Sequence, residues 1–207
     1  MRETMQCDIP EKMIMDPGVS EKLRKGKVAV AGLGGLGSNI AVMLARAGVG
    51  KLLLVDFDSV EMSNLNRQHY DRTHIGMRKT DALRMQIKKI CPFTEIETRS
   101  IKVTEENVRD IFKDYQIVCE AFDDPECKVI LVNALLDGRR KIIAASGMAG
   151  IGSANKIRTR RTFKDLYVCG DNEQPDGLSV FLAPRVSICA GHQANMVLRL
   201  LSDMEEE

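Results

Sequence analysis

Val28-Ala29-Val30-Ala31-Gly32-Leu33-Gly34-Gly35-Leu36-Gly37-Ser38 is the stretch on which the fold turns. Four small or branched apolar residues make a short strand that can be buried on both faces, and a glycine-rich turn follows it directly. Beyond the turn, Leu36, Ile40, Met43, Leu44 and Ala47 fall on one helical face that Gly48 closes. A buried strand, a glycine turn and an amphipathic helix in that order form the first half of a parallel β-α-β unit.

The same alternation runs outward from there. Leu52 to Val55 reads as the next strand, with Asp56 at its C-terminal end. Leu83, Ile87 and Ile90 mark a helix stopped by Pro92, and Glu95 to Ile101 reads as a strand. Thr104-Glu105-Glu106 opens a short helix through Phe112, and Ile117-Val118-Cys119 is another buried strand. Asp124-Pro125 is an N-cap followed by proline at the first helical position, and this helix is expected to reach about Asp137. Lys141 to Ser146 reads as a strand, and Ala190, Ala194, Val197, Leu198 and Leu201 line a last helix. The expected fold is α/β: a Rossmann-like, mainly parallel sheet with helices on both faces, mixed towards its C-terminal part. Residues 1–19, with Pro10, Pro17 and Gly18, are expected to form an N-terminal arm, and residues 20–207 a single nucleotide-binding domain.

Composition excludes several classes. Of 207 residues, 44% are hydrophobic and 29% charged, the balance of a globular chain rather than a disordered or fibrous one. Thirty lysines and arginines against 29 acids leave a net charge of +1, which points to neither nucleic acid nor membrane as a partner. No apolar run approaches the roughly 20 residues that span a bilayer. The first residues carry an acid and no apolar signal region, so a cytoplasmic protein is expected. Six cysteines occur without a CxxC pair, so neither disulfides nor a four-cysteine zinc site is expected. Between Gly138 and Lys164 there are eight bases and no acid. They read either as a solvated face, with Lys156, Arg158 and Arg160 alternating along a strand, or as a docking surface for an acidic partner.

The glycine turn carries the first functional signal. Gly32, Gly34 and Gly37 match GxGxxG, a turn that lets backbone approach phosphates while the helix N-terminus offers free N–H groups. Asp56 lies 19 residues beyond Gly37, where an acid can accept both ribose hydroxyls. These features say only that a nucleotide binds, and an NAD-dependent oxidoreductase would be the default. The next stretch argues otherwise. Asp56-Phe57-Asp58-Ser59-Val60-Glu61-Met62-Ser63-Asn64-Leu65-Asn66-Arg67-Gln68 crowds polar and basic groups past the second strand, and Lys79 adds a cation before the next helix. A triphosphate gains from this density, because arginine grips it bidentately and Asn and Gln orient its oxygens. Asp123, beyond the Ile117–Cys119 strand, is an acid among phosphate-binding cations, as a Mg²⁺ ligand would be. Arg67 and Lys79 are expected to be exposed and to add little stability.

Together, Gly32 to Ser38, the Asp56 to Gln68 block, Lys79 and Asp123-Asp124 resemble the ubiquitin-activating-type (ThiF/MoeB-type) adenylating family, over about Glu21 to Ser202. Gly191-His192-Gln193-Ala194 also resembles that family's last helix. The resemblance implies an adenylyltransferase that activates the C-terminal carboxylate of a small ubiquitin-fold sulfur carrier with ATP and Mg²⁺. A compact ThiF acting on a ThiS-like carrier in thiamine thiazole synthesis is the nearest match. By position it implies nucleotide contacts from Gly32, Gly34, Gly35, Gly37, Asp56, Asp58, Ser63, Asn64, Arg67, Gln68, Lys79 and Asp124, with Asp123 holding Mg²⁺. Asp124 stands where the family often has Asn. A symmetric homodimer is implied too, with Arg2 of the arm crossing to the neighbour.

The chain departs from the family in lacking the paired CxxC zinc motif and a recognisable N-terminal arginine motif. Cys169 lies where some relatives carry a reactive cysteine, and equally reads as a small apolar residue on a strand. Two rival functions remain: a tRNA-modifying, carboxylate-activating relative of the same fold, and an NAD-dependent oxidoreductase.

Overall fold

The computed structural model describes residues 16–173 and 180–204. Residues 1–15 of the expected arm, Arg2 among them, lie outside the described residues, while Pro17 to Val19 open the first helix. The elements run α1 (Pro17–Lys25), β1 (Lys27–Ala31), α2 (Gly35–Arg46), β2 (Lys51–Val55), α3 (Lys79–Ile90), β3 (Glu95–Arg99), α4 (Val108–Ile111), β4 (Ile117–Glu120), α5 (Pro125–Leu135), β5 (Lys141–Ala145), β6 (Arg158–Phe163), β7 (Leu166–Gly170) and α6 (Ala183–Leu201). The seven strands form one sheet in the order β3-β2-β1-β4-β5-β7-β6. Every neighbouring pair is parallel except β6 with β7, so the sheet is mixed at its C-terminal edge as expected.

Alternation along the central strands feeds two cores. Val28, Val30, Leu52 and Leu54 face one layer with Ile40 and Leu44 of α2, Leu83 and Ile87 of α3, and Val197 of α6. Ala29, Ala31, Leu53 and Val55 face the other, with Val108 of α4 and Leu131 and Leu135 of α5. Burial on both faces is why these strands read as continuous apolar runs, each large aliphatic side chain adding roughly 1.5–3 kcal/mol. Among the described residues no helix is long and apolar enough to cross a membrane.

Several boundaries differ from the sequence reading. β3 stops at Arg99 rather than Ile101. The helix expected from Thr104 is a single turn, Val108–Ile111, because Asn107 accepts the Thr104 N–H and donates to the Lys102 carbonyl, holding the preceding residues in turns. α5 ends at Leu135, and β5 at Ala145. β6 begins at Arg158, and Thr159 is its one half-buried position.

Strand order reverses between β1 and β4. In such sheets ligands bind at that reversal, outside the carboxyl ends of the strands.

Candidate functional site

A cavity of about 980 Å³ opens there. Its nucleotide half is bordered by the β1–α2 turn, the segment after β2, Lys79 and the β4–α5 loop. Its second half is bordered by residues 145–152 after β5 and by residues 180–186 at the start of α6.

The glycines divide the work. Gly32 has φ +88°, and a Cβ there would press on the Ala121 carbonyl, so the turn can lie against the β4–α5 loop only as glycine. Gly34 caps α2 without a side-chain hydrogen bond, which leaves the first N–H groups of the helix facing the cavity. Gly37 does not line the cavity. A Cβ at Gly37 would collide with the Gly32 carbonyl, so this glycine serves helix–strand packing.

Asp56 is buried, and its two carboxylate oxygens accept the Leu33 N–H at 2.6 Å and the Asp58 N–H at 2.8 Å. Burial pushes its carboxyl above the ordinary range, against the pull of the Lys79 ammonium and the two amides. Tyr70, missed by the sequence reading, donates its hydroxyl to the Leu33 carbonyl at 2.9 Å, so both sides of the Leu33 residue are pinned.

Arg67 and Gln68 line the cavity, whereas Ser63 and Asn64 lie outside its lining. They belong to a 3₁₀ turn, Met62–Asn64, in which Asn64 accepts the Glu61 N–H at 3.0 Å. The Ser63 carbonyl accepts Arg67 Nη1 at 3.0 Å, so the turn holds the arginine beside Gly35. Gln68 is 9% exposed and its Oε1 is buried without a partner, an acceptor left over for a ligand. Lys79 is 6% exposed and ion-paired to Asp58 at 2.8 Å. This corrects the expectation that it is an exposed cation: it opens α3 against the turn after β2, where its own N–H bonds the Asp58 carbonyl at 3.0 Å.

Asp123 is exposed and lines the cavity. Asp124 also lines it, but caps α5 by accepting the Glu126 N–H at 2.9 Å, and that bond with the Cys127 thiol holds its carboxyl below the ordinary range. Among the described residues no three His, Cys, Asp or Glu side chains come together as a metal cage. A single carboxylate beside a phosphate site suits Mg²⁺, which keeps waters and takes its remaining ligands from the nucleotide. The uncapped α2 N-terminus, the orphaned Gln68 acceptor and the two cations fit ATP.

Cys169 is not at the cavity. It lies in β7 with no exposed surface, packed with Cys119 and Cys189, so the reading as a reactive thiol gives way to that of a small apolar residue. His192 is held by Thr159 Oγ1 at 3.1 Å.

Two ion pairs beside the cavity escaped the sequence reading. Glu120 pairs with Lys128, and Asp171 with Arg185. Arg185 also donates to the carbonyls of Gly152 and Ser153, at 2.8 and 2.9 Å, and so ties the 146–153 loop to the start of α6. An acid ending an otherwise apolar strand, Ile117-Val118-Cys119-Glu120, was the one available signal for the first pair.

Comparison with known proteins agrees with this geometry. The ThiF family matches residues 10–207. The adenylyltransferase and sulfurtransferase UBA4 of Kluyveromyces lactis is 33% identical over 128 residues, 61% of this chain and 29% of that protein. The chain thus spans about 30% of the length of the curated relatives it matches. The E. coli tRNA N6-threonylcarbamoyladenosine dehydratase TcdA, in complex with ATP, superposes with a TM-score of 0.81 at 22% identity, over 89% of each chain. E. coli MccB, crystallised with AMPCPP and MccA, gives a TM-score of 0.72 at 22% identity, over 91% of this chain and 60% of that one. At such identities the structural likeness is one of fold. The family match covers nearly the whole sequence, cavity included, and on that ground the chain belongs to the ThiF family.

Proposed function

We propose that this chain adenylates a carboxylate with ATP. The observation that carries the reading is the joining, in one cavity, of an uncapped helix N-terminus behind a glycine turn with Arg67, Lys79 and Asp123. A carboxylate oxygen attacks the α-phosphorus, the bond from that phosphorus to the bridging oxygen of the β-phosphate breaks, and pyrophosphate leaves with the electron pair. The products are an acyl-adenylate and pyrophosphate. Arg67 and Lys79 offset the charge that gathers on the leaving phosphates, and the α2 N–H groups orient them. Asp56 and the Gln68 acceptor fix the nucleoside end. Mg²⁺, bound with ATP and held by Asp123, would supply further charge neutralisation on the phosphates. An ionised carboxylate needs no general base, so catalysis is positioning and electrostatics.

The substrate we infer is the C-terminus of a ubiquitin-fold sulfur carrier, ThiS-like and serving thiazole formation. The second half of the cavity supports a slender, extended chain, since Gly147, Ala149, Gly150 and Gly152 border it. The protein is expected to act as a symmetric homodimer. A tRNA-modifying activity is the second reading. What favours it is the edge strand β6, whose Arg158, Arg160 and Arg161 are exposed, in a fold shared with TcdA. Carrier-dependent exchange of labelled pyrophosphate into ATP tests the first reading. Exchange that no ubiquitin-fold carrier stimulates, with tRNA binding that falls steeply with salt, would replace it with the second.

A further inference from the structure

At the cavity end of the sheet the ladder between β4 and β5 stops early. Its register runs Ile117↔Lys141, Val118↔Ile142 and Cys119↔Ile143. β4 continues beside β1 as far as Glu120 opposite Ala31, and β5 continues beside β7 as far as Ala145 opposite Cys169. The strands therefore part between the two halves of the cavity.

Side chains bracket that gap. Glu120 is fully buried, and its carboxylate accepts the Phe122 N–H at 2.8 Å and the Ala145 N–H while pairing with the Lys128 ammonium. Lys128, in the first turns of α5, lines the cavity and donates to the Ala145 carbonyl at 3.0 Å. From α6, the buried Gln193 amide donates to the carbonyls of Glu120 and Ile143 at 3.1 and 2.9 Å. Side chains thus make the connections that the backbone ladder leaves off.

Burying the Glu120 carboxylate beside a half-buried ammonium is costly, and an aliphatic pair of the same volume would pack as well. What an aliphatic pair would lack is directed bonds to two backbones at once. One is Ala121 to Asp124, the loop that carries Asp123; the other is Ala145, which leads into the second half of the cavity.

We propose that Glu120 and Lys128 are positioning residues, a strut that sets Asp123 against the nucleotide phosphates and holds the Ala145 wall in register with it. The inference rests on the adenylation reading for its catalytic consequence, but its first test needs no turnover. ATP binding to the full chain is measured by calorimetry with and without Mg²⁺, for wild type, Asp123→Ala, Glu120→Gln, the double variant Glu120→Gln/Lys128→Met, and Lys128→Arg. Glu120→Gln and the double variant should bind Mg²⁺-free ATP as wild type does, and should lose about tenfold of the affinity that Mg²⁺ adds, as Asp123→Ala does, because small misplacements of a binding group have effects of this size or larger. Lys128→Arg should keep that gain. If the double variant fails to fold, Glu120→Gln alone decides, since it removes the ion pair without stranding a buried charge. A wild-type Mg²⁺ gain in Glu120→Gln, or no Mg²⁺ gain in wild type itself, overturns the proposal. Pyrophosphate exchange with ubiquitin-fold carriers is run alongside. Its absence in wild type, with the binding pattern as expected, refutes the adenylation reading and leaves the strut standing.

Discussion

The two halves of the cavity are built in opposite ways. The nucleotide half comes from short pieces of chain, residues 32–36, 56–58, Arg67 with Gln68, Lys79 and the β4–α5 loop, and its glycine turn and Arg67 are placed by backbone turns beside them in sequence. The second half comes from the 145–152 loop and the start of α6, joined by a buried ion pair between Asp171 and Arg185 and by the Gly150 N–H to the Val180 carbonyl at 2.8 Å. A phosphate can be gripped by helix N–H groups and a few cations, so local sequence suffices to build its site. The wall facing a second substrate has no such generic solution and depends on long-range pairs.

If the nucleotide half is a backbone device, its glycines should separate sharply. Gly37→Ala drives a methyl into the Gly32 carbonyl and to 3.2 Å from Val30 Cγ1, inside the β1–α2 packing. It should destabilise the chain by about 3 kcal/mol or more and abolish ATP binding. Gly34→Ala meets nothing nearer than Gln68 Nε2 at 3.8 Å, so it should cost no more than the ~1 kcal/mol of an N-cap change. Its ATP affinity should still fall, because the new methyl points where phosphates would approach. Thermal melts with calorimetry check both, and a Gly34→Ala variant that binds ATP normally would place the phosphates elsewhere.

The cations come next. Arg67→Ala and Lys79→Met should each slow adenylate formation by about 10²–10³-fold, the usual cost of losing one group that stabilises developing charge. Their stabilities should differ. Arg67 is half-buried and its guanidinium bonds the Ser63 carbonyl and Asn66 Oδ1 of its own turn, so its loss should cost under about 1 kcal/mol. Lys79 is buried on Asp58, and losing that charged hydrogen bond should cost about 1–3 kcal/mol. Urea unfolding distinguishes them, and equal losses would mean that the Lys79–Asp58 pair contributes nothing before nucleotide arrives.

The same contrast explains what could be read from the sequence. β1, β2 and β4 were legible because burial on both faces leaves unbroken apolar runs, and the start of α5 because Asp124 and Pro125 are chemically required there. The Thr104 region was misread because its acids imitate a helix start, while Asn107 closes it into turns. The sequence could place Asp56, Lys79 and Asp123 at one cavity because each follows a strand end or opens a helix, and Arg67 because it ends the polar block after β2. Glu120–Lys128 and Asp171–Arg185 were not, because pairing across 8 and 14 residues through the sheet ends leaves no periodic trace.

Arg185 tests the second half. Arg185→Leu leaves Asp171 buried without its cation and frees the Gly152 and Ser153 carbonyls, so it should destabilise by about 3–5 kcal/mol. ATP affinity of the folded fraction should stay near wild type, because none of these bonds reaches the phosphate turn. Denaturant titration and calorimetry measure the two quantities separately. A variant with normal stability and weak ATP binding would show that the halves are not independent.

Cys169→Ala should do least. A reactive thiol needs access and a lowered pKa. Cys169 has no exposed surface, its Sγ lies 3.5 Å from Thr159 Oγ1, and its carbonyl accepts the Cys189 thiol. Burial pushes the neighbouring thiols of Cys119 and Cys189 up, the latter to about 12. Replacing sulfur by hydrogen in so tight a site should cost about 1 kcal/mol, the scale of one buried methyl-sized group. Adenylate formation should be unchanged, and a thiol reagent should leave Cys169 unmodified in the folded chain. Slower adenylation at an unaltered melting temperature, or rapid labelling of Cys169 before unfolding, would move this residue from the core back to the cavity.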